Sequence, residues 1–227
     1  VITAIISVAA FFLIKDKPSL VGFEDLKEET QLTWKETLEG LKKVLRNRQI
    51  WFPTLIYFFS LAPIMTLQAA WGVPMVQNLA HAGKISASYS VMLIAIGFMT
   101  AALLSGLLTA RMGEFKFAKI FLGMNMILMF SLLTASMWPF WCYPLWFFLS
   151  GFTSAGYMPV WNWGKEIAGT KFSGIGMALV NGGGFLGAAF GQLFYGVVLD
   201  LLAWEQQPVL AFNMSNLLLA LSSVLAF

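Results

Sequence analysis

The chain has 227 residues, of which 59% are hydrophobic and only 11% are charged. Soluble domains carry about 25% charged residues, so this composition excludes an ordinary soluble protein, and its hydrophobicity excludes a disordered chain. A single cysteine (Cys142) and a single histidine (His81) exclude an internal disulfide framework and clustered Cys or His metal sites. We therefore expect a membrane protein with no metal and no cofactor. The net charge of +3 is small and indicates no nucleic-acid partner.

Uncharged runs predict six membrane-spanning helices, because a helix needs about 20 mostly apolar residues to cross a bilayer. The predicted spans are residues 50–79, 87–110, 118–138, 142–163, 174–199 and 208–227. Residues 1–14 are apolar but too short for a span, and they predict the end of an earlier membrane helix. The last span is still hydrophobic where the sequence stops, so we expect a piece of a larger protein. The fold predicted for residues 50–227 is an all-α, polytopic helix bundle.

The basic residues fall in alternate connections between these spans. Thirteen of the fourteen Lys and Arg lie in residues 15–49, 111–119 and 164–173, and the other connections contain Lys84 alone. Positively charged connections face the cytoplasm, so these three segments are predicted to be cytoplasmic. We expect a multi-pass protein of the plasma membrane, which is the inner membrane if the organism is a bacterium.

The cytoplasmic segment 15–49 contains one more predicted helix. Apolar residues recur at helical spacing through residues 34–48, and Lys, Arg and Glu occupy the other faces. This pattern predicts an amphipathic helix on the membrane surface. Two interpretations remain open: a linker between two membrane bundles, or a regulatory docking site.

Two of the spans are predicted to be irregular. Residues 50–79 contain three prolines, and residues 142–163 contain Pro144 and Pro159 together with Gly151 and Gly156. Proline and glycine in membrane helices leave backbone groups that neighbouring helices or a water-filled cavity must satisfy. We therefore expect these two helices to be kinked and to line a pathway.

Small residues predict close helix packing in two other spans. Glycines four residues apart stack on one helix face and allow close approach of another helix. We expect such contacts to be made with helices outside this sequence, either as sliding surfaces or as static packing. A similar series occurs at Gly97, Ala101 and Ser105. The predicted packing glycines are Gly174, Gly183, Gly187 and Gly191.

Residues 106–116 are similar to a short loop motif, G-x3-D-R-x-G-[RK]-[RK], and Gly106, Arg111 and Gly113 match it. Together with the charged linker before six alternating spans and the glycine-rich fifth span, this loop resembles the major facilitator superfamily. The resemblance is to the C-terminal half of the family fold, from the end of helix six to helix twelve. The departures from the motif are Ala110, Glu114 and Phe115.

The resemblance implies a six-helix half of a twelve-helix fold, built from inverted repeats and working by alternating access around a site near the bilayer midplane. It implies that an N-terminal six-helix half completes the transporter. It also implies that the first and fourth helices of the half line the cavity. These are residues 50–79 and 142–163, the two spans already predicted to be irregular.

Three candidate residues for the cavity lie in the first span. Gln68 and Trp71 are three apart and are expected to share a helix face, where Gln68 would hydrogen-bond a polar solute and Trp71 would stack on it. Packing within the bundle is the alternative for both. Tyr57 is either a gate residue or an ordinary tyrosine of the membrane interface.

Four further candidates lie in the fourth and fifth spans. Thr153, Tyr157 and Trp161 follow a four-residue spacing, which predicts a polar and aromatic stripe, although Trp161 also fits the membrane interface. Asn181 is expected to be a buried amide that either joins two helices or reaches the solute.

The spans contain no Asp or Glu, and their only Lys or Arg is Lys119 at the edge of residues 118–138, so in a proton-coupled transporter the coupling carboxylate must belong to the other half. The leading hypothesis is secondary active transport of a small organic solute by alternating access, coupled to an ion such as the proton. Import by symport and export by antiport both stay open. The alternative is a non-transporting receptor or scaffold of the same fold.

We do not expect an enzyme. An intramembrane serine protease needs a histidine base near its nucleophile, and His81 lies in a connection. Neither an HExxH motif nor the phosphate loop G-x4-G-K-[ST] occurs.

Overall fold

The computed structural model describes residues 6, 7, 10, 11 and 32–227. The chain divides into two compact units, residues 1–39 and residues 40–227. The four described positions before residue 12 are helical. The other positions of residues 1–14 lie outside the described residues, so the helix end predicted there is not described further. Residues 15–31 of the predicted linker lie outside them as well.

Helix α1, Trp34–Arg46, is the amphipathic helix of the linker. A capping box begins it: the Thr33 N–H donates to Glu36 Oε2 at 3.0 Å, and the Glu36 N–H donates to Thr33 Oγ1 at 3.3 Å. The helix ends two residues before the predicted end at residue 48, because Asn47 caps a separate 3₁₀ turn, Arg48–Ile50, by accepting the Gln49 N–H.

The second unit is a bundle in which every regular element is a helix, within the described residues. Five helices are long and apolar enough to cross a membrane. The elements are α2 (Trp51–Thr66), a π-helical segment (Leu67–Trp71), α3 (Gly72–Leu79), α4 (Lys84–Met112), α5 (Glu114–Ser131) with a 3₁₀ end (Leu132–Met137), α6 (Cys142–Ser154), α7 (Val160–Ala168), α8 (Ser173–Leu201) and α9 (Pro208–Ala226).

The predicted span 142–163 is divided, and for this reason it is not among the five long helices. Helix α6 ends at Ser154, a 3₁₀ turn covers Ala155–Tyr157, and α7 begins after Pro159. Proline has no N–H for the helical ladder, and its ring clashes with the preceding turn. The predicted irregularity is therefore confirmed, and it takes the form of a break between two helices.

The predicted span 50–79 is interrupted by its π-helical segment. The Gly72 N–H donates to the Leu67 carbonyl oxygen five residues earlier, in place of the usual four. Pro74 follows directly and cannot donate to the Ala70 carbonyl. The wider turn accommodates the proline ring without ending the helix.

Pro63 lies inside α2 and has no N–H. The Phe59 carbonyl, four residues earlier, is therefore left without a helical donor. Ser222 of α9 supplies the missing donor, because its hydroxyl lies 2.9 Å from the Phe59 carbonyl oxygen. The proline is thus accommodated by a hydrogen bond between two helices.

Glycines of α8 let it approach α2 at backbone distance. A Cβ atom on Gly187 would collide with the Phe58 carbonyl oxygen, and one on Gly183 would collide with the Thr54 side chain. Gly191 faces Thr66 in the same way. Close packing is confirmed for these three glycines, but its partner is α2 of the same chain and not a helix outside the sequence. Gly174, by contrast, has no neighbour within 4 Å of an added Cβ.

A second close crossing joins α4 to α6. A Cβ on Gly97 would collide with the Phe148 carbonyl oxygen, and a Cβ on Gly151 would collide with the Ile94 carbonyl oxygen. Each helix therefore offers a glycine to the backbone of the other. The expected partner outside the sequence is again replaced by a helix within it.

Contacts between connections bring the basic segments together at one end of the bundle, which we call the basic end. Glu114, after α4, accepts a hydrogen bond from Asn162 Nδ2 of α7 at 2.9 Å. The Lys43 ammonium of α1 lies 5.8 Å from the centroid of the Phe172 ring, in the connection between α7 and α8.

We predict that Gly187→Ala destabilises the protein, because the new methyl group meets the backbone of α2. Overpacking of this kind costs about 1–3 kcal/mol. Gly182→Ala is the matched control, since an added Cβ there has no neighbour within 4 Å and alanine favours the helix by up to about 1 kcal/mol. Thermal unfolding in detergent measures both. Equal melting temperatures for the two variants would contradict the close crossing.

We predict that Ser222→Ala lowers the free energy of unfolding by about 0.5–1.5 kcal/mol, the usual net value of one hydrogen bond. In a Pro63→Ala background the cost should shrink, because the substituted residue supplies its own backbone N–H to the Phe59 carbonyl. A double-mutant cycle measures this coupling. Additive effects would show that Ser222 and Pro63 act independently.

Candidate functional site

Four aromatic rings meet where the two interrupted helices approach each other, and we call them the aromatic cluster. The Tyr57 ring centroid lies 4.8 Å from that of Tyr157 and 5.6 Å from that of Trp161. Tyr157 and Trp161 are 6.0 Å apart, and Phe98 of α4 lies 5.7 Å from Tyr157. The structure thus brings together three of the predicted site residues: Tyr57, Tyr157 and Trp161.

The backbone irregularities explain this position. Tyr157 lies in the 3₁₀ turn before Pro159, and Trp161 lies in the first turn of α7. Tyr57 projects from α2 onto Gly184 of α8, where a Cβ would collide with the tyrosine ring. The break in one helix and a glycine in another therefore make room for the cluster.

The cluster is neutral but holds polar groups without protein partners. Trp161 Nε1 is fully buried and has no hydrogen-bond acceptor. Tyr57 and Tyr157 are 4% and 5% exposed, and within residues 32–227 neither hydroxyl forms a hydrogen bond. An unsatisfied polar group inside a membrane costs several kcal/mol. The cluster therefore offers an indole N–H and two hydroxyls, beside aromatic faces, to an uncharged hydrogen-bonding group.

Thr153 does not extend this cluster into the predicted stripe. Its Oγ1 accepts a hydrogen bond from Asn125 Nδ2 of α5 at 3.0 Å and donates to the Leu149 carbonyl oxygen at 2.9 Å. Asn125 also donates to the Ser150 carbonyl oxygen at 3.1 Å. Thr153 thus joins α6 to α5, and the four-residue spacing fails because the helix is not regular beyond Ser154.

Gln68 and Trp71 lie in the π-helical segment, so a spacing rule for regular α-helices does not describe their relative direction. Trp71 Nε1 donates to the Gln192 carbonyl oxygen of α8 at 3.1 Å, and its ring lies 6.0 Å from that of Tyr195. Gln68 is half-buried, and its amide has no hydrogen bond within the described residues. The Gln68 amide is therefore available to hydrogen-bond a solute, whereas the Trp71 N–H already donates to α8.

Asn181 is exposed on α8. Within the described residues its amide joins no two helices, so its predicted contact with another helix or with the solute stays a prediction. Gly183 and Gly184 occupy the buried face of this helix, and Asn181 lies outside that face.

The loop motif lies at the basic end, between α4 and α5. Gly113 has a φ of +83°, which favours glycine, and its N–H donates to the Thr109 carbonyl oxygen at 2.8 Å. Gly106 and Arg111 are exposed. Of the three motif positions, the local backbone requires glycine only at Gly113.

Two residues of this region are not among the candidates that the sequence predicts. Phe98 has no polar or conformational feature that marks it, but it follows Gly97, whose close approach to α6 carries Phe98 to the cluster. Asn125 was the only amide in a span otherwise rich in Leu, Met and Phe, and that isolation was a usable signal for an interhelical hydrogen bond.

Comparison with known families agrees with this architecture. The family model of the Major Facilitator Superfamily matches residues 1–205. The chain belongs to the Major Facilitator Superfamily. A search of curated proteins found no match. The superfamily consists of membrane transporters, which supports membrane transport in general as the function of this multi-pass, all-α chain.

We predict that Thr153→Val lowers the free energy of unfolding by about 0.5–1.5 kcal/mol, because Asn125 loses one hydrogen-bond acceptor. Thr153→Ser keeps the hydroxyl and is the matched control. Thermal unfolding in detergent compares the two. A wild-type melting temperature for Thr153→Val would leave the hydroxyl free for a role in the site.

Proposed function

We propose that this chain provides the C-terminal six-helix half of a twelve-helix transporter, which moves a small organic solute by alternating access. An N-terminal half would complete the fold. Family membership supports the general function, and the interrupted first and fourth helices support the position of the site, because broken membrane helices occur where they line a cavity.

The observation that carries the proposal is the aromatic cluster between these two helices, with the buried and unpartnered Trp161 Nε1. A solute that supplied an acceptor would satisfy this donor. Residues 51–79 and 142–163 contain no Asp, Glu, Lys or Arg. We therefore propose a polar or amphipathic solute that does not depend on this half for a charged partner.

We propose proton coupling, with the titrating carboxylate in the other half, because intramembrane carboxylates are the usual proton carriers. We also propose that the basic end faces the cytoplasm across the plasma membrane, following the positive-inside rule. Tyr57 is six residues into its span, roughly 9 Å from the basic end. The cluster would then lie on the cytoplasmic side of Gln68, toward the cytoplasmic end of the path that the solute follows.

We predict that Tyr157→Phe, Trp161→Phe and Gln68→Ala each raise the apparent KM for the transported solute by roughly 2- to 10-fold, the value of one hydrogen bond. Melting temperature should change little. A thermal-stabilisation screen of neutral and zwitterionic organic compounds on the complete transporter first identifies a solute, and uptake of that compound into proteoliposomes then gives the KM.

Tyr195→Phe is the matched control, because the Tyr195 hydroxyl donates to Asn216 Oδ1 at 2.8 Å in a buried contact. It should lower the melting temperature and leave KM unchanged. Parallel loss of folded protein and uptake in the cluster variants would make them structural residues. Binding of a compound without any uptake would favour a receptor.

A further inference from the structure

The second half of helix α1 is fixed to the bundle by one face. A Cβ on Gly40 would collide with the Phe172 ring, and Val44 on the same face is buried. The Lys43 ammonium lies over the Phe172 ring. These contacts hold residues 40–46 at the basic end and determine which of their side chains stay uncovered.

The uncovered side chains include an apolar surface that continues onto the first membrane helix. Trp51 Nε1 donates to the Leu45 carbonyl oxygen at 3.1 Å, so the end of α1 lies against the start of α2. The exposed apolar side chains of this surface are Leu41, Leu45, Trp51, Phe52 and Leu55. Phe52 is 60% exposed and Leu45 is 38% exposed.

We expect this apolar surface to lie at the depth of the lipid headgroups. Trp51 begins a helix that is long and apolar enough to cross the membrane, and tryptophan at the end of a span is typical of the interface. The Leu45 carbonyl oxygen accepts a hydrogen bond from that tryptophan, so Leu45 lies at the same depth in the membrane. Apolar side chains in this position enter the boundary between headgroups and acyl chains.

Cations border the same surface. Lys42, Arg46 and Arg48 are exposed, and none of them forms an ion pair with a carboxylate of the part of the chain that the structure describes. Basic residues beside a membrane helix, on an amphipathic helix, attract anionic lipids. A soluble protein partner would match the charge but not the headgroup depth of the adjoining apolar side chains.

We propose that Lys42, Arg46 and Arg48, with the apolar side chains from Leu41 to Leu55, form a binding site for anionic phospholipid in the leaflet at the basic end. The cations bind the headgroup phosphates, and Leu45, Trp51 and Phe52 lie among the upper acyl carbons. The lipid thereby holds the linker helix against the membrane. The site is separate from the aromatic cluster and does not depend on which solute is transported.

The first test measures binding of phosphatidylglycerol and phosphatidylcholine to the purified protein by native mass spectrometry. The variant Lys42→Gln/Arg46→Gln/Arg48→Gln should lose affinity for phosphatidylglycerol by about tenfold or more, since each basic residue near an anionic surface contributes about fivefold. Affinity for phosphatidylcholine should stay within about twofold.

The control variant Arg111→Gln/Lys116→Gln/Lys165→Gln removes three exposed cations from the same end outside the proposed site, and it should retain phosphatidylglycerol affinity. Equal losses of phosphatidylglycerol affinity in the two variants would show that the affinity depends only on net charge, and this result would overturn the site. No preference of the wild-type protein for phosphatidylglycerol would overturn it as well. Melting temperatures in detergent verify that both variants fold.

The second test locates Leu45 directly. A spin label on Leu45→Cys, in a Cys142→Ser background within anionic nanodiscs, should collide more with oxygen than with a water-soluble nickel complex. Dominant collision with nickel would place Leu45 in water, and protection from both would place it against protein. Either result overturns the lipid site, and neither depends on transport, so the proposed function is tested separately.

Discussion

Backbone groups that lose their helical partner must find another inside the membrane, and this requirement shapes the whole bundle. Pro63 leaves the Phe59 carbonyl to the Ser222 hydroxyl, which ties α2 to α9. Pro74 follows a π-helical turn that widens the ladder, and Pro159 separates α6 from α7. The same constraint therefore produces a hydrogen bond between two helices, a widened helical turn and a break between α6 and α7. The break positions the aromatic cluster.

Glycine complements proline in this architecture. Gly187 lets α8 approach the backbone of α2, and Gly97 with Gly151 does the same for α4 and α6. Lipid tails are as apolar as the side chains of membrane helices, so the hydrophobic effect does not favour contact between helices over contact with lipid. Close backbone packing and polar contacts must therefore hold the helices together. The bond from Asn125 to Thr153 adds such a polar contact between α5 and α6.

The sequence predicts the helical bundle well, because an uncharged run of about 20 apolar residues can form few structures other than a membrane-spanning helix. It also marks Pro159 as an interruption and Gly187 as a packing residue. It cannot name the partner of Gly187, since spacing defines a face and not what covers that face. Regular spacing likewise misplaces Thr153, because it assumes an unbroken helix beyond Ser154. Tyr57, Tyr157 and Trp161 are all candidates from the sequence, and the structure brings their rings together, but the contact with Phe98 depends on the crossing at Gly97.

The two glycine crossings divide the bundle mechanically. Because backbone lies against backbone at these glycines, α2 with α8 and α4 with α6 form two closely packed pairs, which we call locked pairs. The rings of Tyr57 on one pair and of Phe98 on the other meet through Tyr157. Side chains can exchange rotamers while interlocked backbones cannot. Any rearrangement within this half is therefore expected to hinge at those rings, with each locked pair turning as a block.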